Sequence, residues 1–176
     1  MLPSRSKLMQ QPEWLKDQEM ADLVASDSFG NVKGYEVGHK FADRRTCCAA
    51  GVHRHTQAGI VGTREKGCPS IVVSGQYEDD KDHGDVIYYT GAGGRDEQTG
   101  RQVEDQDMTR RENAALKRSQ ETRRPIRVVR SLGPGKGYRY DGLYRVAEAK
   151  EDKGKGGFKI CRFTLVRLPN QPPLPQ

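Results

Sequence analysis

Apolar residues along this chain fall in short runs, several of them alternating, between glycine-rich or charged turns, which predicts strands more than long helices. Ile71, Val72 and Val73 mark a buried strand over residues 70–74, and Ile87, Tyr88 and Tyr89 another over 86–90, while residues 59–62 read as a short strand end. Residues 125–130, 143–147 and 158–168 alternate and give three more strands. A first strand is expected near 40–49, behind a glycine-containing loop over 29–38. Two segments read as helix. Residues 12–24 carry Trp14, Leu15, Met20, Leu23 and Val24 behind a proline start, and should pack on the domain edge. Residues 105–120 hold helix formers with no Gly or Pro. The fold class is therefore α+β, mainly β.

Composition sharpens this picture. At 176 residues the chain suits one compact domain, with 20 glycines and 9 prolines favouring turns. The expected layout is an N-terminal helical extension over 1–27, the domain proper over 28–168, and an extended or disordered proline-rich tail over 169–176. Lys and Arg number 30 against 24 Asp and Glu, a net charge of +6 that favours a polyanion such as nucleic acid. No stretch reaches membrane-span length, and Arg5, Lys7 and Gln10 stand where a secretion signal needs an apolar core, so a soluble intracellular protein is expected. The four cysteines, at 47, 48, 68 and 161, form no C-x-x-C pair and read as reduced structural thiols.

One segment departs from the basic background. Between 78 and 85 lie Glu78, Asp79, Asp80, Asp82 and Asp85, with His83 among them and Tyr77 and Tyr89 on either side. Carboxylates repel phosphate, so on a DNA-binding surface they make sense where one must accept a hydrogen bond from a base amino group, as cytosine offers. Two tyrosines can sandwich a flipped base, and nearby glycines let backbone approach it. A solvated turn is the plain alternative, and a metal site on Asp79, Asp80, Asp82 and His83 is disfavoured because consecutive turn side chains rarely converge. Asp141 with Glu148-Ala149-Lys150 superficially mimics the Asp…Glu-x-Lys pattern of magnesium-dependent nucleases, which keeps a modification-dependent endonuclease or other metal-dependent DNA-processing enzyme as the rival function. GAGGR over 91–95 lacks the ending of a nucleotide phosphate loop.

The motifs GVHRHTQAGIVG (51–62), YEDDKDHG (77–84), YTGAGGRD (89–96), NAAL (113–116), RPIRVVRS (124–131) and YRYDGLYRV (138–146) together resemble the SRA domain, also called the YDG domain, a reader of methylated DNA. The resemblance implies a twisted, partly closed, saddle-like β-barrel with a few flanking helices. It implies a flipped 5-methylcytosine stacked between Tyr77 and Tyr89, with Asp80 accepting from its amino group. Backbone around Ser74, Gly75, Gln76 and Thr90 would meet the remaining base edge, and Ala92 would house the methyl group. Two loops would enter the duplex, one tipped by Gln57 and one carrying Arg101, Gln102 and Val103. The mammalian hemimethylation readers have an Asn-Lys-Arg finger in the latter loop, so a hemimethylated-CpG preference is not expected here. The candidate phosphate contacts are Arg110, Arg111, Arg123, Arg124, Arg127, Arg130 and Arg139. The expected protein is a nuclear, monomeric non-enzyme without cofactor or metal. Its partner is double-stranded DNA containing modified cytosine, 5-methylcytosine or 5-hydroxymethylcytosine, and chromatin or the DNA-methylation machinery forms its wider setting.

Overall fold

The computed structural model describes residues 13–24 and 28–176. The elements run α1 (Glu13–Leu23), β1 (Lys40–Phe41), α2 (Arg44–Ala49), β2 (Ile60–Thr63), β3 (Gly67–Val73), β4 (Lys81–Asp82), β5 (Val86–Thr90), α3 (Arg111–Thr122), β6 (Ile126–Ser131), β7 (Tyr138–Lys153) and β8 (Lys159–Arg167). Among the described residues one sheet holds all eight strands in the order β2-β3-β6-β7-β8-β5-β4, with β1 on β7. Every pairing is antiparallel except β3 with β6, whose connection contains α3.

The interior lies on both faces of the central strands. β3 is buried at all seven positions, and its alternation sends Ile71 and Val73 into one cluster with Leu116, Ile126, Val128, Tyr144 and Phe163, and Val72 into a second with Phe41, Val129 and Tyr140. α3 covers the first cluster through Ala115 and Leu116, both 0% exposed. Gly62 permits this approach, since a Cβ there would stand 2.7 Å from the Cβ of Ala115 and 2.8 Å from the carbonyl of Gly67. Met20 of α1 and Val24 just after it pack against Val61 of the outermost strand β2, the edge position expected of this helix. The expected helix start at Pro12 lies outside the described residues.

Two expectations need correcting, and a third is sharpened. The first strand is two residues long, because Asp43 then caps α2: its Oδ1 accepts from the Thr46 amide at 2.8 Å, and Thr46 completes the capping box. The long helix begins at Arg111 rather than near 105, since Asp107 Oδ1 binds the amide and hydroxyl of Thr109 in a local turn at 2.8 and 2.7 Å. The proline-rich tail is extended but anchored, with Gln171 Oε1 accepting from the amide of Leu143 at 2.8 Å and Gln171 Nε2 donating back to the Leu143 carbonyl at 2.8 Å.

No ladder among the described residues joins β2 to β4, so the sheet is open rather than a closed barrel. It is nevertheless strongly curled. β3 and β5 are four steps apart in the strand order, yet the Tyr89 hydroxyl donates to the Val72 carbonyl at 3.1 Å. That curl brings the ends of β3 and β5 together.

Candidate functional site

A cavity of about 190 Å³ opens where those two strand ends meet. A cavity of about 150 Å³ is known to accommodate benzene, so this one takes a single six-membered ring with substituents. Of the sequence-predicted pocket residues, Ser74, Gln76, Tyr77, Asp80, Tyr89, Thr90 and Ala92 all line it, while Gly75 is exposed beside them and outside the lining.

Asp80 supplies the charged acceptor. Its Oδ1 accepts from the Thr90 amide at 2.8 Å and its Oδ2 lies 3.4 Å from the Tyr77 amide, which fixes the carboxylate while leaving acceptor capacity on both oxygens. Burial raises its pKa above the usual carboxylate value, the two backbone amides opposing this only in part. Tyr77 is half-buried, with the Arg95 guanidinium 5.3 Å from its ring centroid. Tyr89 is 7% exposed, and its hydroxyl is committed to Val72, so its ring is the rigid member of the pair.

The far wall is built from backbone. Asn113, buried in the first turn of α3, accepts from the Ala92 amide at 2.7 Å and donates to the Ala92 carbonyl at 3.0 Å. Gln106 bridges the Gly91 carbonyl at 2.7 Å and the Cys161 amide at 2.9 Å. A Cβ at Gly91 would collide with Asn113 Oδ1, so only glycine lets the strand pass this close to the helix. The residues 105–110 that failed to be helical thus serve the wall.

The acidic run is divided three ways. Asp79 is 3% exposed and accepts from the Lys155 amide at 2.9 Å, Asp80 faces the cavity, and Asp82 pairs with Arg130 at 2.7 Å. No group of three potential metal ligands converges among the described residues. The nuclease-like residues do not converge either. Asp141 is 0% exposed between Arg130 at 3.0 Å and Arg139 at 2.6 Å. Glu148 is exposed on the same strand, seven residues on, which is roughly 20 Å away.

Gln57 is exposed at the cavity mouth on a braced loop. His55 Nδ1 accepts from the amides of Gln57 and Ala58 at 3.0 and 2.8 Å, and Arg44 donates to the carbonyls of His55 and Ala58 at 3.0 and 2.6 Å. Beneath it His53 is fully buried, its Nε2 against the Ala58 carbonyl at 2.7 Å and its Nδ1 against the Ser70 hydroxyl at 2.8 Å. Burial pushes its pKa down to about 3, so the ring is neutral and donates from Nε2. In the second loop Arg101 and Val103 are exposed, but Gln102 is 5% exposed and donates to the carbonyls of Gly93 and Glu104, both at 2.8 Å. Gln102 is an anchor of that loop and not an inserting residue. The reason is the antiparallel bridge of Arg95 with Gln102, which points alternate side chains to opposite faces.

The arginine set also changes. Arg127 is 2% exposed and donates to the carbonyls of Val52, Ser28 and Gly30 at 2.8, 2.6 and 2.7 Å. Arg130 is 8% exposed and held by Asp82 and Asp141, and Arg111 is 7% exposed and held by Asp17 at 2.7 Å. These three belong to the interior and leave the phosphate set. Arg139 is committed to Asp141, Arg124 sits over the Phe29 ring at 4.6 Å, and Arg123 caps the end of α3 away from the cavity. Arg110 remains near the cavity, paired with Glu112 at 2.9 Å. Arg44, Glu112 and Tyr138 line the cavity without having been singled out from sequence. Tyr138 had a signal, since it opens the YRYDG motif, and Arg44 had one in the capping box beside it.

A curled mainly β domain with an aromatic and carboxylate pocket at its strand ends is a class that comparison identifies. The model of the SAD/SRA domain matches residues 28–171, and this chain belongs to that family. It is 42% identical over 166 residues to a UHRF1-like protein of Cryptococcus neoformans, covering 85% of this chain and 48% of that protein, so it spans about half the length of that relative. Its fold matches the SRA domain of SUVH5 in complex with fully methylated CG DNA with a TM-score of 0.72 and 40% identity, over 84% of this chain and 99% of that one. It also matches the modification-dependent TagI restriction endonuclease with a TM-score of 0.75 and 42% identity, over 81% of this chain and 53% of that one.

Proposed function

We propose that this domain reads 5-methylcytosine in double-stranded DNA by drawing the base out of the helix into the cavity, with its ring between Tyr77 and Tyr89 and its amino group on Asp80. The observation that carries the reading is a ring-sized cavity with two tyrosines and a fixed, half-buried carboxylate in its wall. The similarity to an SRA domain described in complex with methylated CG DNA supports it. Extrusion of a base costs a few kcal/mol, and stacking returns about 1–3 kcal/mol per base. Thymine would set a carbonyl oxygen against Asp80 and be rejected, while a buried methyl contributes only about 0.8 kcal/mol, so selection of methylcytosine over cytosine is roughly fourfold unless the wall at Ala92 fits tightly.

The domain acts as a non-enzymatic monomer needing no cofactor. Without an Asn-Lys-Arg finger at 101–103, no hemimethylated-CpG preference is expected. The working site is chromatin in the nucleus, alongside the DNA-methylation machinery. Binding of duplexes differing only in one cytosine modification tests the reading: Asp80→Ala should abolish the preference and leave weak, salt-sensitive binding. Equal loss on modified and unmodified DNA would refute the pocket assignment.

A further inference from the structure

The cavity contains a second carboxylate that base recognition as described leaves unused. Glu112, the second residue of α3, lines the same cavity as Asp80. Its side chain is 15% exposed and is fixed by Arg110 Nε on Oε2 at 2.9 Å and by an Arg111 guanidinium nitrogen on Oε1 at 3.0 Å. Arg111 is itself held by Asp17 of α1 at 2.7 Å. A carboxylate has about four acceptor positions, so two remain. Asp80 is tied to one end of this wall, and the residue that follows Glu112 is tied to the other. Asp80 takes the Thr90 amide, and Asn113, the chain neighbour of Glu112, takes the amide and carbonyl of Ala92. The amino group and the C5 substituent of cytosine are on adjacent ring atoms. The ring atom bearing the amino group is flanked by N3 on its other side, so a ring whose amino group meets Asp80 and whose N3 edge meets the backbone of residues 74–76 turns its C5 edge along this wall, toward Ala92 and Glu112.

We propose, resting on the base-pocket reading, that Glu112 determines which C5 substituent the pocket prefers: it accepts a hydrogen bond from a 5-hydroxymethyl group and repels a 5-carboxyl group. A methyl group gives the carboxylate no partner while displacing its water, whereas a hydroxyl replaces the lost contact. A 5-carboxylate places like charges together in a site of lowered dielectric, where Arg110 and Arg111 are already committed to Glu112. The order of affinity is hydroxymethyl at or above methyl, with carboxyl lowest, and the single charged hydrogen bond sets a factor of about ten.

Fluorescence-polarisation titrations of the full chain test this with one duplex carrying cytosine, methylcytosine, hydroxymethylcytosine or carboxylcytosine at a single position. Glu112→Leu removes the acceptor and should lower the hydroxymethyl-to-methyl ratio about tenfold, with methylcytosine binding retained as the sign of an intact pocket. Glu112→Gln keeps a carbonyl acceptor without the charge, so hydroxymethylcytosine should bind as before and carboxylcytosine should gain about tenfold. If Glu112→Leu fails to fold, the carboxylcytosine result with Glu112→Gln decides alone. Unchanged ratios in a protein that still distinguishes methylcytosine from cytosine would overturn the role of Glu112. No such distinction in the unaltered chain would overturn the base-pocket reading itself, and this proposal with it.

Discussion

The arginines of β6 and those of the loop over residues 95–101 are the same residue in opposite situations. Arg127 and Arg130 lie on a strand buried at five of its six positions, and each has acceptors assembled around it. Arg130 meets Asp82, Asp141 and the Gly84 carbonyl at 2.7, 3.0 and 2.8 Å. Arg127 meets backbone carbonyls, and burial brings its pKa down to about 10. Arg101 is exposed, and Arg95 lies over Tyr77. A positive residue thus works as a structural bolt where the fold surrounds it with acceptors, and is available to a polyanion where it does not. Arg130→Met should sharpen the contrast most. It strips a 0%-exposed Asp141 of one of its two arginines, and breaking such a buried pair costs about 3–5 kcal/mol. Thermal denaturation should show a large drop in Tm for Arg130→Met and a change within about 0.5 kcal/mol for Arg101→Ala. Similar Tm values would erase the distinction.

That contrast also marks what was legible in the sequence. The strand at 86–90 and the buried strand around Ile71 follow from local pattern, because alternation and β-branched runs are properties of neighbouring residues. The site residues Tyr77, Asp80, Tyr89 and Ala92 could be named together only through the family motifs, since the curl that brings β3 to β5 is set by five strands at once. Arg127 and Arg130 were misplaced because their acceptors, the carbonyls of 28–30 and the carboxylates Asp82 and Asp141, are remote in sequence or belong to other elements. Gln102 failed differently. Its neighbours Arg101 and Val103 are exposed, and a two-residue bridge that reverses a side chain leaves no pattern long enough to read.

The pocket carboxylate and the charge of the second loop should also separate by pH and salt. Burial raises the Asp80 pKa, so the folded domain takes up a proton at this site at a pH above the ordinary value of 3.8. Binding uses the ionised acceptor, so preference for modified cytosine should fall on acidification with an onset above that value. The same sign says that ionised Asp80 opposes folding, so Asp80→Asn should leave stability at neutral pH unchanged or raised. A preference constant down to pH 4 would remove Asp80 from the contact. Arg101→Ala should weaken all duplexes alike and lower the slope of log affinity against log salt by about one unit, while Asp80→Asn leaves the slope unchanged.

The smallest expected effects distinguish the two loops. Gln57 stands on a loop pinned by His55, Arg44 and neutral His53, and its amide can both donate to and accept from a guanine left without its partner. Val103, 48% exposed beside the anchored Gln102, can only fill space. Loss of an amide that pairs with the orphaned base should therefore weaken modified-DNA binding about tenfold in Gln57→Ala, with reduced fluorescence of 2-aminopurine beside the flipped base. Removing two methyl groups in Val103→Ala, at a position that remains partly solvated, should weaken it severalfold at most, with the fluorescence preserved. If Val103→Ala gives the larger loss and extinguishes the fluorescence signal, the wedge is the second loop and Gln57 merely borders the cavity. If neither substitution changes either signal, the hole in the duplex is filled by some other part of the rim, and the braced conformation of the 53–58 loop serves the fold rather than the DNA.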